Sequence, residues 1–376
     1  MTKKRKTSTN SNLRKAAKVK NDEFYTRLTD IENELSHYRD HFKNKIVYCN
    51  CDDPYRSNFV QYFALNFKFL GLKQLVATCY KHPDIDDSQF ENVADRPIKW
   101  VYNGEQIEGQ NYPDLSKAIV TNLEGDGDFR SEECLEILNQ CDIVVTNPPF
   151  SLFREFVNTL INFEKNFLII GNNGAIIYKD IFPLLRDDKV WLGYDIVKQF
   201  IVNVSDPSKL NKNVEWDAEQ NCYIAKFGNI CWYTNLSHDK RNEEIILYKK
   251  YNNEEYPTYD NYNAINVNKI KDIPCDYKGI MGVPITFLNK YNPLQFEIIG
   301  MGNTREFFTP TKKYVNPKEY KSSGKIVSGA SINNVQTLKS NTIPLTGSYF
   351  TSECADYYIV VPYTRLFVRN RKPQLD

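Results

Sequence analysis

Asn147-Pro148-Pro149-Phe150 follows directly on the apolar run Asp142-Ile143-Val144-Val145-Thr146, and no other short segment of the chain carries as much chemistry. Two adjacent prolines hold φ at about −65° and remove two N–H donors. The carbonyls beside them are expected to point outward, claimed by neither a sheet ladder nor a helix. Asn147 adds an amide oxygen to the same stiff turn, and Phe150 adds a flat ring. Oxygens that accept from a planar amino group, set beside a ring that can stack, fit the exocyclic amine of a nucleobase. A stiff loop without chemistry would use the same prolines, but the position argues for function. The motif sits between a buried strand and a helix, and ligands of open α/β sheets bind at the carboxyl ends of strands.

Methylation of such an amine by S-adenosylmethionine needs three further pieces, and the chain offers each in order. Asp52-Asp53-Pro54 forms a turn after the first strand, with an acid for the charged methionine end of the donor. Gly125-Asp126-Gly127-Asp128-Phe129 offers a carboxylate to accept from the adenine N6–H and a ring to lie against the base. Asp22-Glu23-Phe24-Tyr25-Thr26 is a segment that could close over the donor. Each is weak alone: Asp-Asp-Pro is a common turn, and Gly-Asp-Gly-Asp also reads as a surface loop or a poor calcium loop.

These pieces require a sheet to hold them. Thr29-Asp30-Ile31-Glu32 reads as a capping box for a helix carrying Ile31, Leu35, Tyr38 and Phe42. A short buried strand follows over 46–49. Ser57 then caps a helix with Val60, Phe63, Ala64, Phe67 and Leu70 on one face, stopped by Gly71. A strand at 75–79 leads into a polar excursion over 81–114. Ser131 starts a helix to Gln140, the motif strand spans 142–146, and Ser151 caps a helix carrying Phe153, Phe156, Val157 and Leu160. Further strands are expected at 167–170 and 190–192, and longer, hairpin-like ones at 199–204 and 222–233. The alternation predicts an α/β fold, a Rossmann-like, mostly parallel sheet with helices on both faces. From about Ser237 Tyr and Asn become dense and prolines are spaced through the chain, which predicts a smaller, irregular domain.

The 376 residues are long enough for two domains, and 41% hydrophobic with 25% charged residues is ordinary for a globular protein. No apolar run is long enough to span a bilayer and no signal peptide is evident, so a cytoplasmic protein is expected. Nine scattered cysteines suggest neither a disulfide framework nor a zinc site. His37 and His41 stand four apart on a helix, but without a Glu between them or a third ligand they read as a helix face. Cys49 and Cys51 read as packing residues. The net charge of +1 conceals an arm: residues 1–20 hold eight cations and no acid, leaving 1 − 8 = −7 for the rest. Such an arm is expected to be disordered when free, serving as a solubilising tail or as a contact to phosphates whose strength falls steeply with salt.

Phe24-Tyr25-Thr26, Asp53-Pro54, Gly127-Asp128-Phe129 and Asn147-Pro148-Pro149-Phe150, in this order, resemble the γ-class amino-methyltransferases that modify adenine N6. More closely, the runs at 47–54, 125–131, 142–155, 259–269 and 281–288 resemble the EcoRI-type adenine-specific modification methylases, over roughly 21–293 with a short echo at 363–371. The resemblance implies that Asn147 and the Pro148 carbonyl hold the target adenine N6, while Phe150 stacks on a flipped base. It implies that Asp128 and Phe129 hold the donor adenine, that Asp53 lies near the methionine end, and that Tyr25 and Thr26 pack over the donor. With the charge of the arm and the change in composition at 237, the expected division is an arm (1–20), a methyltransferase domain (21–236) and a target-recognition region (237–376). Two departures stand out. Tyr55-Arg56-Ser57-Asn58 lacks the glycine-rich turn usual after the first strand, and Cys79-Tyr80 stands where an acid usually binds the ribose, so no ribose ligand is named.

The expected reaction is methyl transfer from S-adenosylmethionine to an adenine flipped out of double-stranded DNA by a monomeric enzyme, with no metal and no covalent enzyme intermediate. A restriction endonuclease acting on the same site is the expected companion. Cytosine N4 offers the same amine geometry, and a DNA-binding module without activity is the alternative from another class. The recognition sequence is not legible, and 300–355 resembles nothing known.

Overall fold

The structure, a computed structural model, describes residues 24–79, 97–202, 214–218, 221–302, 308–327 and 331–374, with only the backbone described for Phe24, Tyr25 and Val202. The expected arm and the start of the 81–114 excursion lie outside them. The chain divides into two compact units. The first runs to Ile181 and resumes over Val190–His238, and the second joins Phe182–Lys189 to the chain from Asp239 onward.

Ten strands form the sheet of the first unit: β1 (Phe24–Thr26), β2 (Ile46–Cys49), β3 (Gln74–Thr78), β4 (Ile98–Tyr102), β5 (Ile119–Asn122), β6 (Ile143–Thr146), β7 (Asn166–Asn172), β8 (Trp191–Val202), β9 (Val214–Asp217) and β10 (Cys222–Thr234). Their order is β1-β8-β10-β7-β6-β2-β3-β4-β5, with β9 paired to β10. Among the described residues of this sheet, parallel pairing is confined to β3-β2-β6-β7, and every other pair is antiparallel. The expectation of a mostly parallel sheet therefore holds at the centre only. The polar 81–114 excursion contains β4, which pairs antiparallel with β3, and β8 and β10 pair antiparallel at the other flank.

The centre is parallel because its strands are buried on both faces and so carry unbroken apolar runs. Val47, Leu75, Ala77, Ile143, Val145, Leu168 and Ile170 join a core with Ile31, Leu35, Phe59, Val60 and Phe63 of helices α1 (Leu28–Leu35) and α2 (Asn58–Leu65). The alternate residues Val76, Val144, Phe167 and Ile169 are buried as well. Helices α3 (Phe67–Leu70), α4 (Glu132–Gln140) and α5 (Phe153–Asn162) complete the set. Gly71 ends α3 at φ +64, the left-handed conformation that glycine adopts without strain.

Local chemistry explains most helix boundaries and corrects two of them. Ser57 accepts from the Phe59 N–H and Ser131 from the Cys134 N–H, as expected of N-caps. Thr29 does not cap: α1 starts two residues earlier, after Arg27 without a side-chain cap, and gives way at Ser36 to a 3-10 turn reaching Phe42. Ser151 does not cap either. It lies inside a 3-10 turn, Phe150–Leu152, from which α5 continues without a side-chain cap.

The second unit is more regular than its composition predicts. After helix α6 (Phe182–Arg186), it contains one sheet of β11 (Ile265–Asn266), β12 (Ile280–Pro284), β13 (Phe296–Met301) and β19 (Arg365–Asn370). A second sheet holds β14 (Lys318–Lys321), β15 (Ile326–Val327), β16 (Leu338–Ser340), β17 (Ser348–Ser352) and β18 (Ala355–Val360). β19 lies between β12 and β13, antiparallel to both. The sequence echo at 363–371 thus contains an inner strand of this sheet, paired with the strand that overlaps the 281–288 run.

Candidate active site

β2 pairs in parallel with β3 on one side and with β6 on the other. Chain order reverses at this point, and the carboxyl ends of the three strands meet there. The turn 50–54, the residues after β3 and the Asn-Pro-Pro-Phe tetrapeptide are thereby brought together. Asp52 joins them directly. Its backbone N–H donates to the Thr78 carbonyl at 3.2 Å. Its Oδ1 accepts from the Ser57 hydroxyl at 2.7 Å, and its Oδ2 from the Thr146 hydroxyl. The backbone N–H of Asn147 donates to the same carboxylate. Burial pushes the Asp52 carboxyl up to about 6, against the pull of these hydrogen bonds.

In the tetrapeptide, Asn147 is half-buried, Pro148 buried, and Pro149 and Phe150 exposed, with 38% of Phe150 open to solvent. Pro149 sits at φ −59 and ψ 119, the extended conformation expected of it. Its carbonyl is not left unclaimed, as expected from sequence, but accepts from the Leu152 N–H at 2.9 Å. That bond closes the 3-10 turn that carries Phe150.

The 125–131 loop reaches the end of β3. Gly127 has φ +74, and a Cβ there would lie 2.2 Å from the Cys79 carbonyl oxygen, so only glycine permits the approach. Asp128 is gripped by Arg130, with Nε to Oδ1 at 2.9 Å and Nη2 to Oδ2 at 2.6 Å. Burial raises the Asp128 carboxyl, but the hydrogen bonds from Arg130 outweigh it and hold it below the usual carboxylate range. Arg130 also reaches Glu155 of α5 at 3.3 Å. Phe129 is buried and packs edge-on against Phe156, ring centroids 4.9 Å apart.

β1 pairs antiparallel with β8. The Thr26 carbonyl accepts from the Asn58 side chain at 2.8 Å, which fixes the Phe24–Thr26 segment beside the start of α2. Thr26 Oγ1 is buried and has no hydrogen-bond partner among the described residues. Asp53 shapes its own turn, accepting from the Tyr55 N–H on Oδ1 at 2.9 Å, with its carbonyl taking the Ser57 N–H at 2.8 Å.

Other candidates have plainer roles. His37 stacks flat on Tyr194 at 3.4 Å and His41 meets the Ser237 carbonyl at 2.9 Å. No group of His, Cys, Asp and Glu among the described residues could hold a metal ion. Burial raises the Cys49 and Cys51 thiols well above their ordinary value. None of the nine cysteines is in a disulfide. No helix among the described residues is long and apolar enough to cross a membrane.

Sequence reasoning named Asp52 only as part of its turn and gave no role to Thr146, Arg130 or Asn58 in this candidate site. The signals were faint: a second acid beside Asp53, a lone polar residue ending an apolar strand, and a cation two residues after Asp128.

The chain matches, over residues 12–371, the family described as "Adenine-specific methyltransferase EcoRI". It is 49% identical over 297 residues to the type II methyltransferase M.EcoRI of Escherichia coli, covering 78% of this chain and 89% of that one. It is 40% identical to M.MgeORF184P of Mycoplasma genitalium and 39% identical to M.MpnI of Mycoplasma pneumoniae, both type II methyltransferases. Each of these matches covers 76% of this chain and 84% of the relative. No solved structure matches.

Proposed function

Because this chain belongs to the EcoRI adenine-specific methyltransferase family and is an adenine-specific DNA methyltransferase, we propose that Asn147-Pro148-Pro149-Phe150 receives an adenine flipped out of double-stranded DNA and that its N6 amine takes the methyl group. One observation carries this reading: the tetrapeptide stands at the carboxyl end of β6, beside β2 at the reversal of strand order.

The adenine amine is a poor nucleophile because its lone pair is delocalised into the ring. Hydrogen bonds from N6 to the Asn147 amide oxygen and the Pro148 carbonyl orient it and favour a pyramidal nitrogen. The ring of Phe150, exposed on its 3-10 turn, stacks on the flipped base and offers its π-face to the positive charge that develops on the nitrogen.

S-adenosylmethionine fits the neighbouring residues as methyl donor. Thr26 Oγ1 is a buried hydroxyl in need of a partner, and Gly127 presses its loop against the end of β3 where a side chain would block it. When bound, this donor supplies a methyl group on a positively charged sulfur. Asp128, oriented by Arg130, accepts from the donor adenine, with Phe129 behind it. Asp53 lies toward the methionine end, and Phe24, Tyr25 and Thr26 cover the donor. Asp128→Ala is expected to weaken donor binding about tenfold, the value of one charge-assisted hydrogen bond. An unchanged dissociation constant for the donor would remove Asp128 from the site.

In this reading 21–236 performs the transfer, 237–376 recognises the target, and the 1–20 arm meets phosphates. The protein works as a cytoplasmic monomer in a restriction-modification system, protecting the site that a separate endonuclease cuts. The test is methyl transfer from labelled S-adenosylmethionine to unmethylated duplex DNA, with nucleoside analysis of the digest. N6-methyladenine is expected. N4-methylcytosine, or no transfer despite donor binding, would overturn the reading.

A further inference from the structure

We propose that Asp52 is a positioning residue for methyl transfer: its carboxylate locks the Asn147 turn after β6 to the turn after β2, so that the amine-binding and donor-binding loops move as one piece. The proposal rests on the assignment of Asn147 to the target amine.

The geometry is that of a hub. The Thr146 hydroxyl and the Asn147 N–H, at the last residue of β6 and the first beyond it, both donate to Asp52. The Ser57 hydroxyl donates to Oδ1 at 2.7 Å while its own oxygen caps α2 through the Phe59 N–H at 3.1 Å. The Asp52 N–H holds the end of β3 through Thr78 at 3.2 Å. One residue thus ties together the ends of all three strands that carry the site.

Its charge is costly to keep. The partners are hydroxyls and a backbone N–H, with no cation among them, and a buried charge without a counter-ion loses several kcal/mol of solvation. Asp53, next on the turn, adds like charge and pushes the Asp52 proton affinity up further. Packing alone would be served as well by an apolar residue or an amide. What a carboxylate offers here is acceptance of three donors at once, with no proton of its own to turn against them. Protonation removes part of that capacity, so the hold on Asn147 loosens as Asp52 takes up a proton near pH 6. Three titratable neighbours are set away from this range, and Asp53 faces Asp52 from the next position of the turn. Cys49 and Cys51 are raised well above their ordinary value and stay neutral, while Asp128 is lowered and stays charged.

The experiment compares wild type, Asp52→Asn and Thr146→Val, all shown to be folded by thermal melting, in steady-state methylation of duplex DNA and in equilibrium donor binding. Asp52→Asn is expected to lower kcat by about 10- to 100-fold, with the donor dissociation constant changed less than about threefold. Wild-type kcat is expected to fall on the acid side of about pH 6, and this limb is expected to vanish in Asp52→Asn. Thr146→Val keeps the shape of the strand end and removes one donor, so it should show a smaller kcat loss of the same kind. It also serves as the test if Asp52→Asn does not fold. An unchanged kcat in the folded variants, or an acid limb that survives in Asp52→Asn, overturns the proposal. A loss confined to donor binding overturns it as well. Wild-type formation of N6-methyladenine is scored separately, so failure of the underlying assignment is told apart from failure of this one.

Discussion

Asp52 in the first unit and Asp260 in the second each stand at the centre of a polar cluster, and the two differ in what meets their charge. Asp52 in the first unit is met only by neutral donors, and its proton affinity rises to about 6. Asp260 in the second unit has only 4% of its side chain exposed, yet Lys312 at 3.0 Å and Lys339 at 3.4 Å both pair with it. The hydroxyls of Tyr314 and Tyr357 donate to it at 2.6 Å each. Burial alone would raise the Asp260 carboxyl, but these hydrogen bonds and the lysine charge outweigh it and bring it below the usual value. Burial opposes the charge at both sites; it prevails at the more deeply buried Asp52, where only neutral donors answer it, and is outweighed at Asp260, where two lysines and two hydroxyls do. Asp260 is a structural tie that gains from its charge. Asp52 keeps a charge its surroundings oppose, as groups at functional sites often do.

The Asn147 amide oxygen, which Asp52 is proposed to position, is the most sensitive point of the first cluster. Asn147→Ala removes the amide oxygen from the amine site while leaving the Asp52 hub in place, because that hub holds Asn147 by its backbone. A loss of about 10²- to 10³-fold in kcat is expected, the usual effect of removing one preorganised hydrogen-bonding group. Donor binding should be nearly unchanged. Retention of full turnover would detach the tetrapeptide from the chemistry and leave Asp52 with nothing to position.

Asp260→Ala should strike stability instead. It strands two lysines and two tyrosine hydroxyls, and breaking a buried ion pair costs about 3–5 kcal/mol where it is fully desolvated. Lys312 and Lys339 are 33% and 57% exposed and can turn to solvent, so a smaller loss of about 2 kcal/mol is expected in denaturant unfolding. The kcat of the folded enzyme at saturating DNA should stay within about twofold of wild type, since this cluster is assigned no part in the transfer. A variant that keeps its stability and loses turnover would reverse the roles of the two clusters.

The legibility of the two regions differs for the same physical reason. The central strands were readable because burial on both faces forces unbroken apolar runs such as 143–146 and 167–170. The stiff turn after β6 was readable because two adjacent prolines fix their own backbone. Asp52 was hidden behind Asp53: two adjacent acids are equivalent in a sequence, and only the fold turns one toward Thr146 and the other toward its own turn. The second unit was misread as irregular because its strands are short and interrupted by Pro and Asn. The Asp260 cluster draws on residues up to 97 positions apart, a distance no local pattern spans.

A pH titration of stability separates the two kinds of carboxylate, with a shallow slope and a clear sign. Glu34 behaves as Asp52 does. It is fully buried, and burial raises it to about 7, against hydrogen bonds from the Asp195 and Tyr194 N–H groups and the Tyr38 hydroxyl. A carboxyl whose folded value is raised binds its proton more tightly in the fold than in the unfolded chain. Its contribution is complete below the unfolded value and is lost as pH rises through the folded one, so Glu34 should cost stability between about pH 4.5 and 7. Asp52 should do the same from 3.8 to about 6. Each contributes a slope of at most about 1.4 kcal/mol per pH unit, the limit for one proton. Asp260 is lowered, so its contribution is complete above 3.8 and is lost only at more acid pH, leaving it flat across this window. Glu34→Gln imitates the protonated acid, and its stability relative to wild type should climb from pH 4.5 to 7, whereas the difference for Asp260→Asn should stay level. A level difference for Glu34→Gln would mean that its three donors stabilise the charge fully, and that raised carboxylates are then peculiar to the Asp52 hub.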